Sequence, residues 1–420
     1  MSVITKATLA SGIKLITEQM PEAESASIGV WVTTGSRNEP VDLGGVSHFI
    51  EHMLFKGTRT RTAHDISKEI ERVGGVLNAF TGREYTCFYV KVLNKDIPRA
   101  ADILSDIFMN SVFSVRELGR EKKVVLQEIK MVEDTPDDII HDLFAERFFG
   151  GHPLGRSILG TTESIDKLTR KSVLDYFGTH YRTNRVFITA AGGLSHRGFT
   201  RLIRETFGSI KPDSHVPEVT TPSHEPGVWL MEKDLGQVHL CLGVPVPPQS
   251  HPDRYKIYLL NTILGSGMSS RLFQKIREKK GLAYSVYSYL NLYRDSGSIV
   301  VYAGSSKESF PQVVSLVMRE FSLLRKDVTA SELEDAKSHL KGSMLLGLET
   351  SDNRMAKLAR DEVYFGEVVP TKEIVREIDR VTVDDIKEMA RKVLSPDKVT
   401  LVALGKATKK DLPASLAGML

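Results

Sequence analysis

The chain has 420 residues, too many for one ordinary core, so two or more domains are expected. Net charge is only +3, with 26% charged and 41% apolar residues, which is the balance of a globular protein and gives no ground for a nucleic-acid or membrane partner. No apolar run reaches membrane-spanning length, no signal or transit segment is visible, and the two cysteines, Cys87 and Cys241, make no disulfide framework, so a reducing, bacterial-type cytoplasm is the expected location.

In chain order, Gly12-Ile13-Lys14-Leu15-Ile16 predicts the opening strand and Ile28-Gly29-Val30-Trp31-Val32 another. A helix follows. Asp42 is placed to cap its N-terminus, and Lys56-Gly57-Thr58 stops it. Between them Leu43, Val46, Phe49, Ile50, Met53 and Leu54 form an apolar helical stripe. The same helix carries His48-Phe49-Ile50-Glu51-His52, the inverted form of the zincin motif. His48 and His52 stand one helical turn apart on one face, so both imidazoles can reach one metal ion. Glu51 leans toward that face and can sit beside the metal's water. Solvated singly, such residues need no explanation. Two imidazoles and a carboxylate beside a mostly buried stripe would cost several kcal/mol without partners, and a metal supplies one. Catalytic zinc usually takes three protein ligands, so a third must come from elsewhere, and Glu128 is the candidate.

Further along, Asn78-Ala79-Phe80-Thr81 follows Gly74-Gly75 and precedes Thr86-Cys87-Phe88-Tyr89-Val90, which predicts a hairpin with Gly82 in its turn. Both cysteines lie in apolar alternating runs and are expected to fill cores. Glu121-Lys122-Lys123-Val124-Val125-Leu126-Gln127-Glu128-Ile129 predicts a helix that puts Glu121 and Glu128 two turns apart on one face. Prolines then recur from Pro212 to Pro226 and apolar periodicity stops, as in a linker.

Beyond the linker the chain repeats itself. Ile28–Val32 reads like Val238–Leu242, Phe148-Phe149-Gly150 like Tyr364-Phe365-Gly366, and Ile165-Asp166-Lys167-Leu168-Thr169 like Ile378-Asp379-Arg380-Val381-Thr382. Val186–Gly192 corresponds to Val399–Gly405. The expectation is an α+β fold of two duplicated domains, each a mainly antiparallel sheet packed with helices. Their bounds are 1–211 and 228–420, joined by the linker 212–227. The copies differ where chemistry would sit. Glu128 falls on Ser343, Glu121 on Ala336, and the His48–His52 run on Tyr255–Leu259. The metal constellation is therefore not a packing requirement of the fold.

With Glu128 following it, His48–His52 resembles the motif of the pitrilysin-type zinc peptidases, which include mitochondrial processing peptidase and insulin-degrading enzyme. The likeness covers the whole duplicated chain. It implies one zinc per chain on His48, His52 and Glu128, with Glu51 as general base and Glu121 as a supporting carboxylate. By residues alone, Glu121 is equally a surface ion-pair partner of a neighbouring Lys or Arg. Asn78, Ala79, Phe80 and Thr81 resemble the family's substrate-binding edge strand, a mode that holds a peptide by its main chain. Arg277 and Tyr284, in Ile276-Arg277-Glu278-Lys279-Lys280-Gly281-Leu282-Ala283-Tyr284, resemble the pair that meets substrate near the scissile bond.

The function implied is a zinc-dependent endopeptidase acting on unfolded peptides or presequence-like segments inside a dimeric chamber. The partner would be a second copy or an inactive homologue. A non-catalytic scaffold or regulatory subunit of a peptidase complex is the alternative, and a zinc hydrolase of non-peptide substrates a further one.

Overall fold

In a computed structural model of the protein, residues 2–210 and 220–419 are described. The first eight positions of the expected linker lie outside them, and residues 220–226 have no regular secondary structure before the next strand. Contacts divide the chain into two compact units. One comprises Met1–Lys130, Arg156–Val219 and Gly347–Val368, and the other Met131–Gly155, Thr220–Leu346 and Val369–Leu420.

The first unit is built on a sheet of β1 (Val3–Thr8), β2 (Lys14–Gln19), β3 (Ser25–Val32), β4 (Val76–Thr81), β5 (Thr86–Leu93) and β6 (Val186–Gly192), in the order β1-β2-β6-β3-β5-β4. Only the β2–β6 pair is parallel. β1 has no counterpart among the strands read from sequence. Its side chains are exposed or half-buried throughout, so it carries no apolar alternation to recognise. The two faces of the central strand β3 serve different cores. Ile28, Val30 and Val32 pack with helices Val46–Leu54 and Ile97–Asn110, whereas Trp31 packs with Cys87, Phe187 and Met355 of helix Ser351–Phe365.

The second unit has β7 (Gly227–Met231), β8 (Val238–Pro245), β9 (Ala283–Leu292), β10 (Gly297–Ser305) and β11 (Thr400–Leu404), in the order β7-β11-β8-β10-β9. Again one pair, β7–β11, is parallel. With β1 set aside, the two sheets share one strand order. The second sheet is also covered on both faces. Helix Pro136–Phe148 places Ile140, Phe144 and Phe148 against Cys241, Val300, Tyr302 and Val402, and a larger core fills the other face. Both cysteines are free and buried.

A cut at the linker does not coincide with this division. Residues 131–155 come from the first half of the chain but belong to the second unit, and 347–368 do the reverse. In each half the crossing falls at the end of a long helix, Val115–Asp134 or Ala330–Gly347. Helical periodicity shows that a helix has an apolar face but not which sheet that face covers. No helix among the described residues is long and apolar enough to cross a membrane.

Candidate metal centre

Helix Val46–Leu54 starts at Gly45, whose φ of 86° is a left-handed conformation, and a Cβ there would lie 2.4 Å from the Leu159 carbonyl oxygen. The cap expected at Asp42 is not formed. Asp42 is exposed in a short 3₁₀ turn, Val41–Leu43. The buried Glu39 does the work instead, its two carboxylate oxygens accepting from the main-chain N–H groups of Gly45 and Ser47, each at 2.7 Å. Burial raises the Glu39 carboxyl to about 7, against the downward pull of those N–H groups. Nothing in the local sequence pattern marks Glu39, because it acts from outside the helix.

Val46, Phe49, Ile50, Met53 and Leu54 are buried in the core of the first unit, each fully buried apolar side chain contributing about 1.5–3 kcal/mol. Those contacts fix the rotation of the helix. His48, Glu51 and His52 consequently share its half-buried face. The imidazole centroids of His48 and His52 are 4.6 Å apart.

Helix Val115–Asp134 supplies the acidic residues. Its buried stripe is Leu118, Glu121, Val125 and Ile129, so Glu121 is a core-facing carboxylate and Glu128 sits at the margin of the same face. Glu128 Oε2 lies 3.7 Å from His48 Nε2 and 3.6 Å from His52 Nε2. Those separations are too long for hydrogen bonds. They are close to the roughly 3.4 Å between ligands held about 2.1 Å from one tetrahedral zinc. One ligand atom from each residue falls within 4.8 Å of the others. Burial, then the neighbouring His52, lowers the His48 imidazole to about 4, which leaves it neutral and able to ligate at neutral pH. Two imidazole nitrogens and one carboxylate form a borderline donor set suited to zinc, and the residues present fit that ion.

Glu121 Oε2 is 3.1 Å from His52 Nδ1, and Lys56 Nζ is 2.9 Å from Glu121 Oε1. The ion pair weighed in the sequence is therefore present, but buried and shared with a histidine. A carboxylate on Nδ1 sets the tautomer that leaves Nε2 free for a metal. By contrast, the Nδ1 of His48 is buried with no hydrogen-bond partner among the described residues. Lys56 was legible only as part of the helix stop, although it stands one turn beyond His52. Replacing Glu121 with Ala should weaken zinc binding about 10–100-fold, read by competition with a chelating dye. Unchanged affinity would leave Glu121 a structural residue.

Glu51 is half-buried, and its Oε2 accepts a 2.5 Å hydrogen bond from Thr81 Oγ1. Burial raises its carboxyl above the ordinary carboxylate value, and the Thr81 hydroxyl opposes the shift. Thr81 ends β4, which is an edge strand of its sheet and carries Asn78, Ala79 and Phe80. The remaining two expected residues lie in the second unit. Arg277, in the π-turn Phe273–Glu278, places its guanidinium carbon 5.0 Å from the ring centroid of Tyr284 in β9, and Tyr284 is 80% exposed. The segment matched to the histidine motif, Tyr255–Leu259, is helical here, with Tyr255, Ile257 and Leu259 buried.

Residues 14–162 match the family described as insulinase (peptidase family M16), and residues 167–340 match the M16 inactive domain. An uncharacterised zinc protease of Bacillus subtilis is 39% identical over 396 residues, 94% of this chain and 97% of that protein. One of Mycobacterium tuberculosis is 38% identical over 421 residues, covering 99% and 96%. Among solved structures, a protease from Helicobacter pylori superposes with a TM-score of 0.91 at 22% identity, covering 96% of this chain and all of that one. With full-length relatives at this identity and a zinc-competent constellation in the first unit, the chain belongs to the M16, or insulinase, family of zinc peptidases.

Proposed function

We propose that the chain is an endopeptidase for unfolded peptides or presequence-like segments, working through His48, His52, Glu128 and Glu51. The observation that carries this is the meeting of three ligand atoms within 4.8 Å beside a carboxylate that is tied to an edge strand. When bound, zinc polarises the scissile carbonyl and acidifies the attacking water. His48 and His52 hold their nitrogens on one helix face. Glu121 orients His52. Glu51 takes the proton of the attacking water and delivers it to the leaving amine, a role suited to a carboxyl raised toward neutrality. The exposed edge of β4 suits main-chain pairing with an extended peptide, which tolerates many sequences. Incubation with a mixed peptide library, with and without chelator, tests this by mass spectrometry. Chelator-sensitive internal cleavage is expected. Absence of cleavage in zinc-loaded protein would favour the non-catalytic subunit.

The assembly we propose is a dimer, with the same chain or an inactive homologue, in which Arg277 and Tyr284 of one chain serve the zinc site of the other. A half-buried Arg277 stacked on an exposed Tyr284, in the unit with no ligand cluster among the described residues, supports it. Mixing a His52→Ala chain with a Tyr284→Phe chain under conditions of proven subunit exchange should restore part of the activity that each lacks. No recovery, or a fully active monomer, would contradict the shared site.

A further inference from the structure

The Glu51 carboxylate has two oxygens in different situations. Oε2 accepts the Thr81 hydroxyl at 2.5 Å, while Oε1 accepts no hydrogen bond among the described residues. Thr81 is no loose partner. It pairs with Thr86 at the last rung of the β4–β5 ladder, and the turn that follows closes through Gly82 N–H to the Tyr85 carbonyl at 2.8 Å. That turn is pinned in turn by the segment before the motif helix. Ser36 N–H donates to the Gly82 carbonyl at 3.2 Å and Arg37 N–H to the Arg83 carbonyl at 2.9 Å. Arg37 and Glu84 form a buried ion pair at 2.7 Å. The approach is so close that a Cβ on Gly35 would stand 2.2 Å from the Gly82 oxygen.

The side chains of β4 alternate. Val76, Asn78 and Phe80 are exposed, whereas Leu77, Ala79 and Thr81 turn inward, Leu77 and Ala79 onto the core that holds the motif helix. The strand's own pleat therefore aims the Thr81 hydroxyl at that helix. A polar group fixed by a pinned hairpin is a preorganised partner, and it costs no reorganisation when the carboxylate is called on.

We propose that Thr81 is a positioning residue for Glu51: its hydroxyl holds the carboxylate through Oε2 and leaves Oε1 as the oxygen that takes and returns the proton. This rests on the reading of Glu51 as general base. It also means that the strand offering its edge to the substrate orients the base, so one rigid hairpin sets the register of peptide and base together.

The test compares Thr81→Val, Thr81→Ser and Thr81→Ala in the zinc-loaded, full-length protein. The valine variant should lose about 10–100-fold in kcat, with KM within about twofold of wild type. Serine, which keeps the hydroxyl, should stay within about threefold of wild type in kcat. Zinc per chain, melting temperature and the Kd of an uncleaved extended peptide on the zinc-free protein should not move. Should valine disturb folding, the alanine–serine pair isolates the hydroxyl on its own. Wild-type kcat in both the valine and alanine variants, or a loss in serine equal to that in alanine, would overturn the proposal. An effect on KM or peptide Kd alone would overturn it as well, assigning Thr81 to substrate binding. If Glu51→Gln itself turns over normally, the general-base reading fails instead, and the two failures are told apart.

Discussion

Glu51→Gln should retain one zinc per chain and lose about two to four orders of magnitude in turnover, the usual cost of deleting a general base. The amide nearly matches the carboxylate in size and can still accept the Thr81 hydroxyl through its oxygen. The helix face is therefore unchanged, and so are the ligands on either side. What is lost is the ability to take a proton at neutral pH. Metal analysis and peptide cleavage on the same preparation decide the matter. Near-normal cleavage by this variant would remove Glu51 from the mechanism, and loss of zinc would make it a structural support of the site.

His52→Ala should abolish stoichiometric zinc binding. It removes one of three ligand atoms and strands the Glu121–Lys56 pair that oriented it. The loss in affinity should go well beyond the about 10–100-fold expected for an outer partner such as Glu121. A thermal readout is available because a ligand that binds only the folded state stabilises it, by about 2.7 kcal/mol at a hundred times its Kd. Wild type should melt higher with added zinc and lower with chelator, whereas His52→Ala should respond to neither. Full zinc content in the variant would show that the ion is held elsewhere.

Much of this site was legible because its signals are local. His48, Glu51 and His52 lie within one helix whose buried stripe, Val46, Phe49, Ile50, Met53 and Leu54, reads directly from the sequence and fixes which face is left for chemistry, although Leu43, read as part of that stripe, is half-buried in the 3₁₀ turn before the helix. The duplication was legible, since the matched segments Val186–Gly192 and Val399–Gly405 carry the buried strands Val186–Gly192 and Thr400–Leu404 at corresponding positions of the two sheets. The partners that act across the chain were not. Glu39 caps the motif helix from six residues before Gly45, and Thr81 meets Glu51 only because a hairpin folds back over that helix. β1 escaped because an exposed strand with no buried face has no period to read. The helix cap went to Glu39 rather than Asp42 because Gly44 and Gly45 separate Asp42 from the first turn, and a left-handed Gly45 turns the chain into it.

The crossing of chain segments between the units has a consequence for origin and for dissection. Neither half-chain holds all the parts of either unit, since each sheet has one face covered by a helix encoded in the other half. A half-length polypeptide with this fold could bury both faces of its sheet only by reciprocal domain swapping with a second copy. The duplicated chain is equivalent in connectivity to a swapped homodimer fused head to tail, with the ligand cluster in one unit among the described residues. Cleaving the chain at the linker would leave that exchange in place, so the two fragments should remain associated as a nicked whole.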